Sequence, residues 1–124
     1  MTHGDLIPAN VLVRDGRLAG ILDGGGFGPT DPALELVCAW HLLDPGPRAF
    51  LRASLRIDDL DWQRGAAWAF VQAIGLVWYY RESNPTMRDL GRSTMDRLLT
   101  DAEIVAAADG RRPEGGAAEG VGRL

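Results

Sequence analysis

The sequence predicts an α+β fold, a short β-hairpin beside a mostly helical body. Three observations predict it. Near the N-terminus two short apolar runs flank Asp15-Gly16, a turn signal whose two central positions both need positive φ. Farther along, Asp31-Pro32 and Asn84-Pro85 each join a capping side chain to a proline at the first helical position. Beyond Asp31 the apolar residues recur at helical rather than alternating spacing.

The elements follow in chain order. Residues 1–10, rich in Gly, Pro and polar side chains, read as a loop. Residues 11–14 read as one strand and 17–22 as its return. Asp23 comes next, and Gly24-Gly25-Gly26 is expected to break regular structure. A helix is expected over 31–43, stopped by Asp44-Pro45-Gly46-Pro47, and a second over 48–55. A third, capped by Asp59 or Asp61, is expected to reach Tyr80. Its apolar positions include Trp62, Ala66, Phe70, Ile74, Val77 and Trp78. They lie on most sides, which predicts a central buried helix. A fourth is expected over 85–99, with Met87, Leu90, Met95 and Leu98 facing inward, and a short extension through Ala108. Residues 1–108 thus form one domain. Residues 109–124 hold five glycines and almost no large apolar side chain, which predicts a disordered tail.

Composition narrows the function. A net charge of -4 without a basic stripe argues against nucleic-acid binding. All 13 basic residues are arginine, so no step in this chain uses a lysine. Cys38 is the sole cysteine, which excludes an internal disulfide, and its apolar setting reads as buried packing. No apolar stretch is long enough for a membrane span, and the first residues lack a signal-peptide pattern; a cytoplasmic setting is expected.

Three polar side chains belong to the ends of the hairpin. Asp5 and Asn10 precede its first strand and Asp23 follows its second. A hairpin returns the chain to its start, so Asn10 and Asp23 are expected to face one another with Asp5 nearby. One amide oxygen with one or two carboxylates suits Mg²⁺, which usually completes its shell with phosphate oxygens and water. Taken singly, Asp5 reads as a turn residue, Asn10 as a loop cap and Asp23 as a strand end. His41 reads as a core or rim histidine, and Trp40, Trp62, Trp68 and Trp78 as core. Asp58, Asp59 and Asp61 read as a solvated helix start. The functional alternative is that they attract a cationic ligand, with Glu82 joining them.

The segment His3-Gly4-Asp5-Leu6-Ile7-Pro8-Ala9-Asn10, then Ile21-Leu22-Asp23, then Asp31-Pro32-Ala33-Leu34-Glu35-Leu36, resembles the aminoglycoside phosphotransferase family and its protein-kinase-like relatives. The resemblance implies a kinase-like C-terminal lobe that moves the γ-phosphate of ATP to a hydroxyl of a small molecule such as an aminoglycoside. It implies Asp5 as the carboxylate that orients or accepts the hydroxyl proton. It implies Asn10 and Asp23 as ligands of the Mg²⁺ that neutralises the nucleotide phosphates, and His3 and Glu35 as supports of the loop. The chain departs from the family pattern at Ile7, Ala9, Gly24 and Glu35. Gly24 stands where a large apolar anchor is usual, so a looser Asp23 loop is expected.

The family's N-terminal lobe supplies a Gly-rich cover, a strand lysine and the adenine hinge. The 124 residues contain none of these, and Gly24-Gly25-Gly26 lacks the setting of a phosphate loop. The expectation is therefore a C-terminal lobe only, with a separate N-terminal lobe as a partner and weak Mg-ATP binding by the isolated chain. Two alternatives stand beside it. One is a non-catalytic remnant or pseudokinase-like binding module. The other, ranked last, is a metal-assisted hydrolase built on Asp5, Asn10 and Asp23 alone.

Overall fold

Among the described residues the chain forms two antiparallel strands, β1 (Val11–Arg14) and β2 (Arg17–Ile21), five α-helices and three short 3-10 stretches. The computed structural model describes residues 1–110; from residue 111 the expected tail lies outside them. The turn between the strands has φ of 52° at Asp15 and 71° at Gly16, the conformation the Asp-Gly pair favours. Val11 pairs with Ile21 and Leu12 with Gly20, then an irregularity shifts the register to Val13 with Leu18. Such a bulge increases local twist. The ladder runs on past β1, because the Leu22 amide donates to the Asn10 carbonyl at 2.8 Å.

The glycine run is ordered rather than broken. Gly24–Gly26 forms a 3-10 turn, with the Phe27 amide donating to the Gly24 carbonyl. Gly28 then bridges Thr2, with both amides donating across at 3.0 and 3.3 Å. The Asp23 loop is thereby fastened to the start of the chain. Phe27 stays 54% exposed, so backbone hydrogen bonds rather than an apolar anchor close this loop.

The segment expected as one helix over 31–43 is a 3-10 stretch, Pro32–Val37, followed by a single α-turn, α1 (Cys38–His41). Asp31 caps it by accepting from the Ala33 amide. The Pro-Gly-Pro run does not merely stop that segment. Its prolines fill the first turn of α2 (Pro45–Leu55), where a missing amide costs nothing. Helix α3 (Asp59–Tyr79) is capped by Asp58, one residue before the earlier of the two expected caps. Its side chain accepts from the Asp61 amide. Helix α4 (Pro85–Leu99) begins at the Asn84 cap, and α5 (Ala102–Ala108) at an Asp101 cap.

Helix α3 is central but buried on one face only. That face carries Trp62, Gly65, Ala66, Ala69 and Ala73. Its small residues let neighbours approach closely. A Cβ at Gly65 would lie 2.5 Å from Leu36 Cβ. One at Gly91 of α4 would lie 2.7 Å from the Ala73 carbonyl oxygen. On α4 the buried residues are Gly91, Thr94 and Leu98; of the four expected inward, only Leu98 is fully buried. The Trp40 and Trp62 rings meet with centroids 4.7 Å apart and planes tilted by 44°, in the core with Val37, Ala39 and Leu98. Trp78, at 79% exposed, and Trp68 lie on the outer faces, against the expectation that all four tryptophans are core. The described residues thus form an α+β fold, mostly helical with one two-stranded sheet. Among the described residues no helix is long and apolar enough to cross a membrane.

Candidate active site

The start of the loop of residues 3–10 is held by hydrogen bonds to its backbone. Glu35 Oε2 accepts from the His3 amide at 2.7 Å and from the Gly4 amide at 3.2 Å. Gly4 has φ of +72°, a backbone conformation that suits glycine. Its carbonyl accepts from Gln72 Nε2 at 2.8 Å. The His3 ring faces the Leu22 carbonyl through Nε2 at 2.8 Å. A carbonyl only accepts, so Nε2 carries the proton and Nδ1 is free to accept. The Asp5 amide points at that nitrogen from 3.4 Å. His3 therefore spans the loop and the outgoing end of the hairpin.

Asn10 is buried, and its Nδ2 donates to the Asp5 carbonyl at 2.9 Å and to Asp5 Oδ2 at 3.2 Å. The Asp5 carboxylate is exposed and the loop bends around this contact. Asn10 and Leu22 oppose each other across the continued ladder, and Asp23 comes next. Asp23 sits at φ 59° and ψ 44°, a left-handed conformation that non-glycine residues adopt at a cost. Asp5 and Asn10 are thus in direct contact. Asn10 and Asp23 occupy the two outer ends of the strand pair.

Among the described residues no three His, Cys, Asp or Glu side chains converge to hold a metal ion. An amide oxygen at Asn10 and a carboxylate at Asp23 are hard donors that fit Mg²⁺ when phosphate oxygens and water supply the remaining positions. They do not form a self-sufficient cage, which disfavours the unaided hydrolase.

A cleft of about 300 Å³ opens beside Asp5, lined by Asp5, Ile7, Gln72, Gly75, Leu76, Tyr79 and Tyr80. Asp5 is the one carboxylate in that lining. A larger cavity, about 560 Å³, lies between α2, the start of α3 and α5, and includes no residue of the loop. Its Arg52 is already paired with Asp59 and Glu103 at 2.6 Å.

Other expectations resolve differently. Asp58 caps α3, Asp59 pairs with Arg52, and Asp61 pairs with Arg64 at 3.0 Å. All three sit at the N-terminal end of α3, whereas the Asp5 cleft is walled by its C-terminal half. Glu82 pairs with Arg81. His41 is fully enclosed, and burial lowers its pKa below the usual 6.5. Burial pushes the Cys38 thiol up to about 11, as an inert packing cysteine requires. Gln72 was not foreseen as part of the site. One signal for it exists in the sequence, because it is the only amide or charged side chain in the apolar run 65–80.

The loop, the hairpin and the Asp31–Glu35 segment together form the part of the chain that a known family describes. The model of the phosphotransferase enzyme family matches residues 1–68, more than half of the chain. The chain belongs to that family. No curated protein and no solved structure gives a significant match. The family match takes in every candidate site residue from His3 to Glu35 and ends inside α3. Gln72, Tyr79 and Tyr80, which wall the cleft, lie beyond it.

Proposed function

We propose that this phosphotransferase-family chain is the C-terminal lobe of a kinase-like enzyme that transfers the γ-phosphate of ATP to a hydroxyl of a small molecule. Its main support is the tethered loop, whose Asp5 carboxylate meets an open cleft while Glu35, Gln72 and His3 fix its backbone. The acceptor oxygen would attack the γ-phosphorus as the bond to the β–γ bridging oxygen breaks. The hydroxyl proton would pass to Asp5. Such transfers have a loose transition state, so positioning counts for more than basicity.

Asn10 and Asp23 are the residues proposed to hold Mg²⁺, which would neutralise charge on the nucleotide phosphates. The proposed partner for the rest of the nucleotide is a separate N-terminal lobe, and the proposed setting is the cytoplasm. Aromatic and aliphatic residues around Asp5 favour an acceptor with an apolar face over a polycation such as an aminoglycoside. Asp58, Asp59 and Asp61, at the start of α3, are engaged in a cap and in ion pairs. A non-catalytic binding module is the second reading, favoured by Gly24 at the anchor position.

Phosphate transfer measured with the chain joined to a nucleotide-binding lobe of the family tests this assignment. Asp5→Asn should lower turnover about a hundredfold or more with nucleotide affinity nearly intact. Asp23→Asn should weaken Mg²⁺-dependent nucleotide binding as well as rate, and Asn10→Ala should do so more mildly. Transfer by Asp5→Asn at the parent rate would remove Asp5 from the chemistry.

A further inference from the structure

Gln72 reaches the Gly4 carbonyl from the middle of α3, and its other amide atom reaches into the core. Gln72 Oε1 lies 3.1 Å from His41 Nε2, and His41 Nδ1 lies 2.9 Å from Thr94 Oγ1. The directions of these bonds follow from one fixed point. The Gly4 carbonyl can only accept, so the Gln72 atom facing it is the amide nitrogen. The opposite atom is then the oxygen, and His41 Nε2 must donate to it. Neutral imidazole has one N–H, so Nδ1 accepts, and the Thr94 hydroxyl donates. A single ordered chain therefore runs from Thr94 on α4, through His41 on α1 and Gln72 on α3, to the loop. His41 and Thr94 are 1% and 0% exposed, so neither can exchange its partner for water.

The far end of this chain is the peptide unit that joins Gly4 to Asp5. Its oxygen is bound by Gln72 and its amide points at His3 Nδ1. Glu35 holds the two amides before it. A peptide unit held on both sides has no freedom to rotate, and its rotation would swing the Asp5 side chain.

We propose that Gln72, oriented by His41 and Thr94, is a positioning residue that locks the Gly4–Asp5 peptide and so aims the Asp5 carboxylate. The role of Asp5 itself rests on the phosphotransferase reading; the locking of the loop does not.

The test uses the ¹⁵N-labelled full chain without nucleotide or acceptor. Amide hydrogen exchange is followed at His3 and Gly4, the two amides bound to Glu35, with α3 and α4 amides as the reference. Gln72→Leu removes both ends of the link. It should speed exchange at His3 and Gly4 about tenfold or more and leave the reference amides within about twofold. Gln72→Glu keeps an acceptor for His41 but has no donor for the Gly4 carbonyl. It should speed the same two amides while the His41 ring keeps its proton on Nε2, read from the imidazole ¹⁵N shifts. Should Gln72→Leu fail to fold, the same-sized Gln72→Glu decides the question. Unchanged exchange at His3 and Gly4 in the folded variants would overturn the proposal. So would a parallel rise in the reference amides, the mark of a merely structural role, or an Nδ1-protonated His41 in the parent. A phosphotransfer assay that found no activity would count against the reading of Asp5 and leave this result in place.

Discussion

Asp23 and Gly4 are two positive-φ positions in the same site, and they make opposite predictions. Asp23 holds φ 59° although it carries a Cβ, which an L-residue tolerates only at a cost. Asp23→Gly should therefore raise the urea midpoint, by about 0.5–1 kcal/mol of stability, while it deletes a proposed metal ligand. Gly4 holds φ +72°, and a Cβ there would come within 2.9 Å of Leu34 Cδ2. Leu34 can turn aside but the backbone angle remains, so Gly4→Ala should cost about 1–2 kcal/mol. A midpoint that falls for Asp23→Gly, or one that stays for Gly4→Ala, would show that the strain has been misread. A residue that is destabilising where it stands yet suits Mg²⁺ chemistry is the pattern expected of a functional position.

Between elements, glycine again sets the sign. Gly91 of α4 faces α3 so closely that a Cβ would meet the Ala73 carbonyl, Leu76 Cβ and Val77 Cγ2 within 2.9 Å. Backbone cannot step aside, so Gly91→Ala should push the helices apart and lose about 1–3 kcal/mol. Gly75 is a helical glycine of α3 with nothing within 4 Å of its would-be Cβ. Gly75→Ala should gain about 0.5–1 kcal/mol from helix propensity alone. Thermal unfolding of the two variants checks the pair; a shift of the same sign in both would refute the close packing. This packing also explains what the sequence did and did not reveal. The hairpin was legible because Asp15-Gly16 is local turn chemistry, and the Asp31 and Asn84 caps were legible for the same reason. The inner face of α3 was not. A hydrophobic pattern weighs large residues, but the buried face is mostly Gly and Ala, which leaves Trp68, Phe70, Ile74 and Trp78 outside. The break of the 31–43 segment into a 3-10 stretch and a short α-turn was hidden too; there Leu36 packs closely against Gly65 of α3, a contact that no local pattern announces. At the site, Asp5, Asn10 and Asp23 stood out by order and spacing. Gln72 did not, because its partners are 31 and 68 residues away in the chain.

For the molecule as a whole, the link between core and loop makes stability depend on a single buried imidazole. His41 joins α1 to α3 and α4, and its pKa lies below 6.5, chiefly because burial penalises the charged ring. The Gln72 hydrogen bond and the charge of Asp5 oppose that shift, and Arg97 adds to it. The sign follows from linkage. The unfolded chain binds a proton at His41 more readily than the folded one, so acid favours unfolding. The stabilisation is full above pH 6.5 and is lost as pH falls from there through the depressed folded value. Asp31 contributes a second, lower step. The Trp68 indole and the Ala33 amide hold its carboxyl below the usual 3.8, so its contribution is full above that pH and is lost as pH falls through its folded value. The urea midpoint should accordingly be level down to pH 6.5 and then decline as pH falls further, with the Asp31 loss following at lower pH. The His41 ring, followed by NMR in the folded chain, should be less than half charged at pH 6.5, where a free histidine is half charged. A midpoint unchanged between pH 7 and about pH 5, or a His41 that titrates at 6.5 or above, would mean that the imidazole is not held neutral in the core. The fall matters beyond stability, since a charged His41 puts protons on both ring nitrogens. Thr94 must then stop donating, and the ordered chain that ends at the Gly4 carbonyl is lost from its buried end.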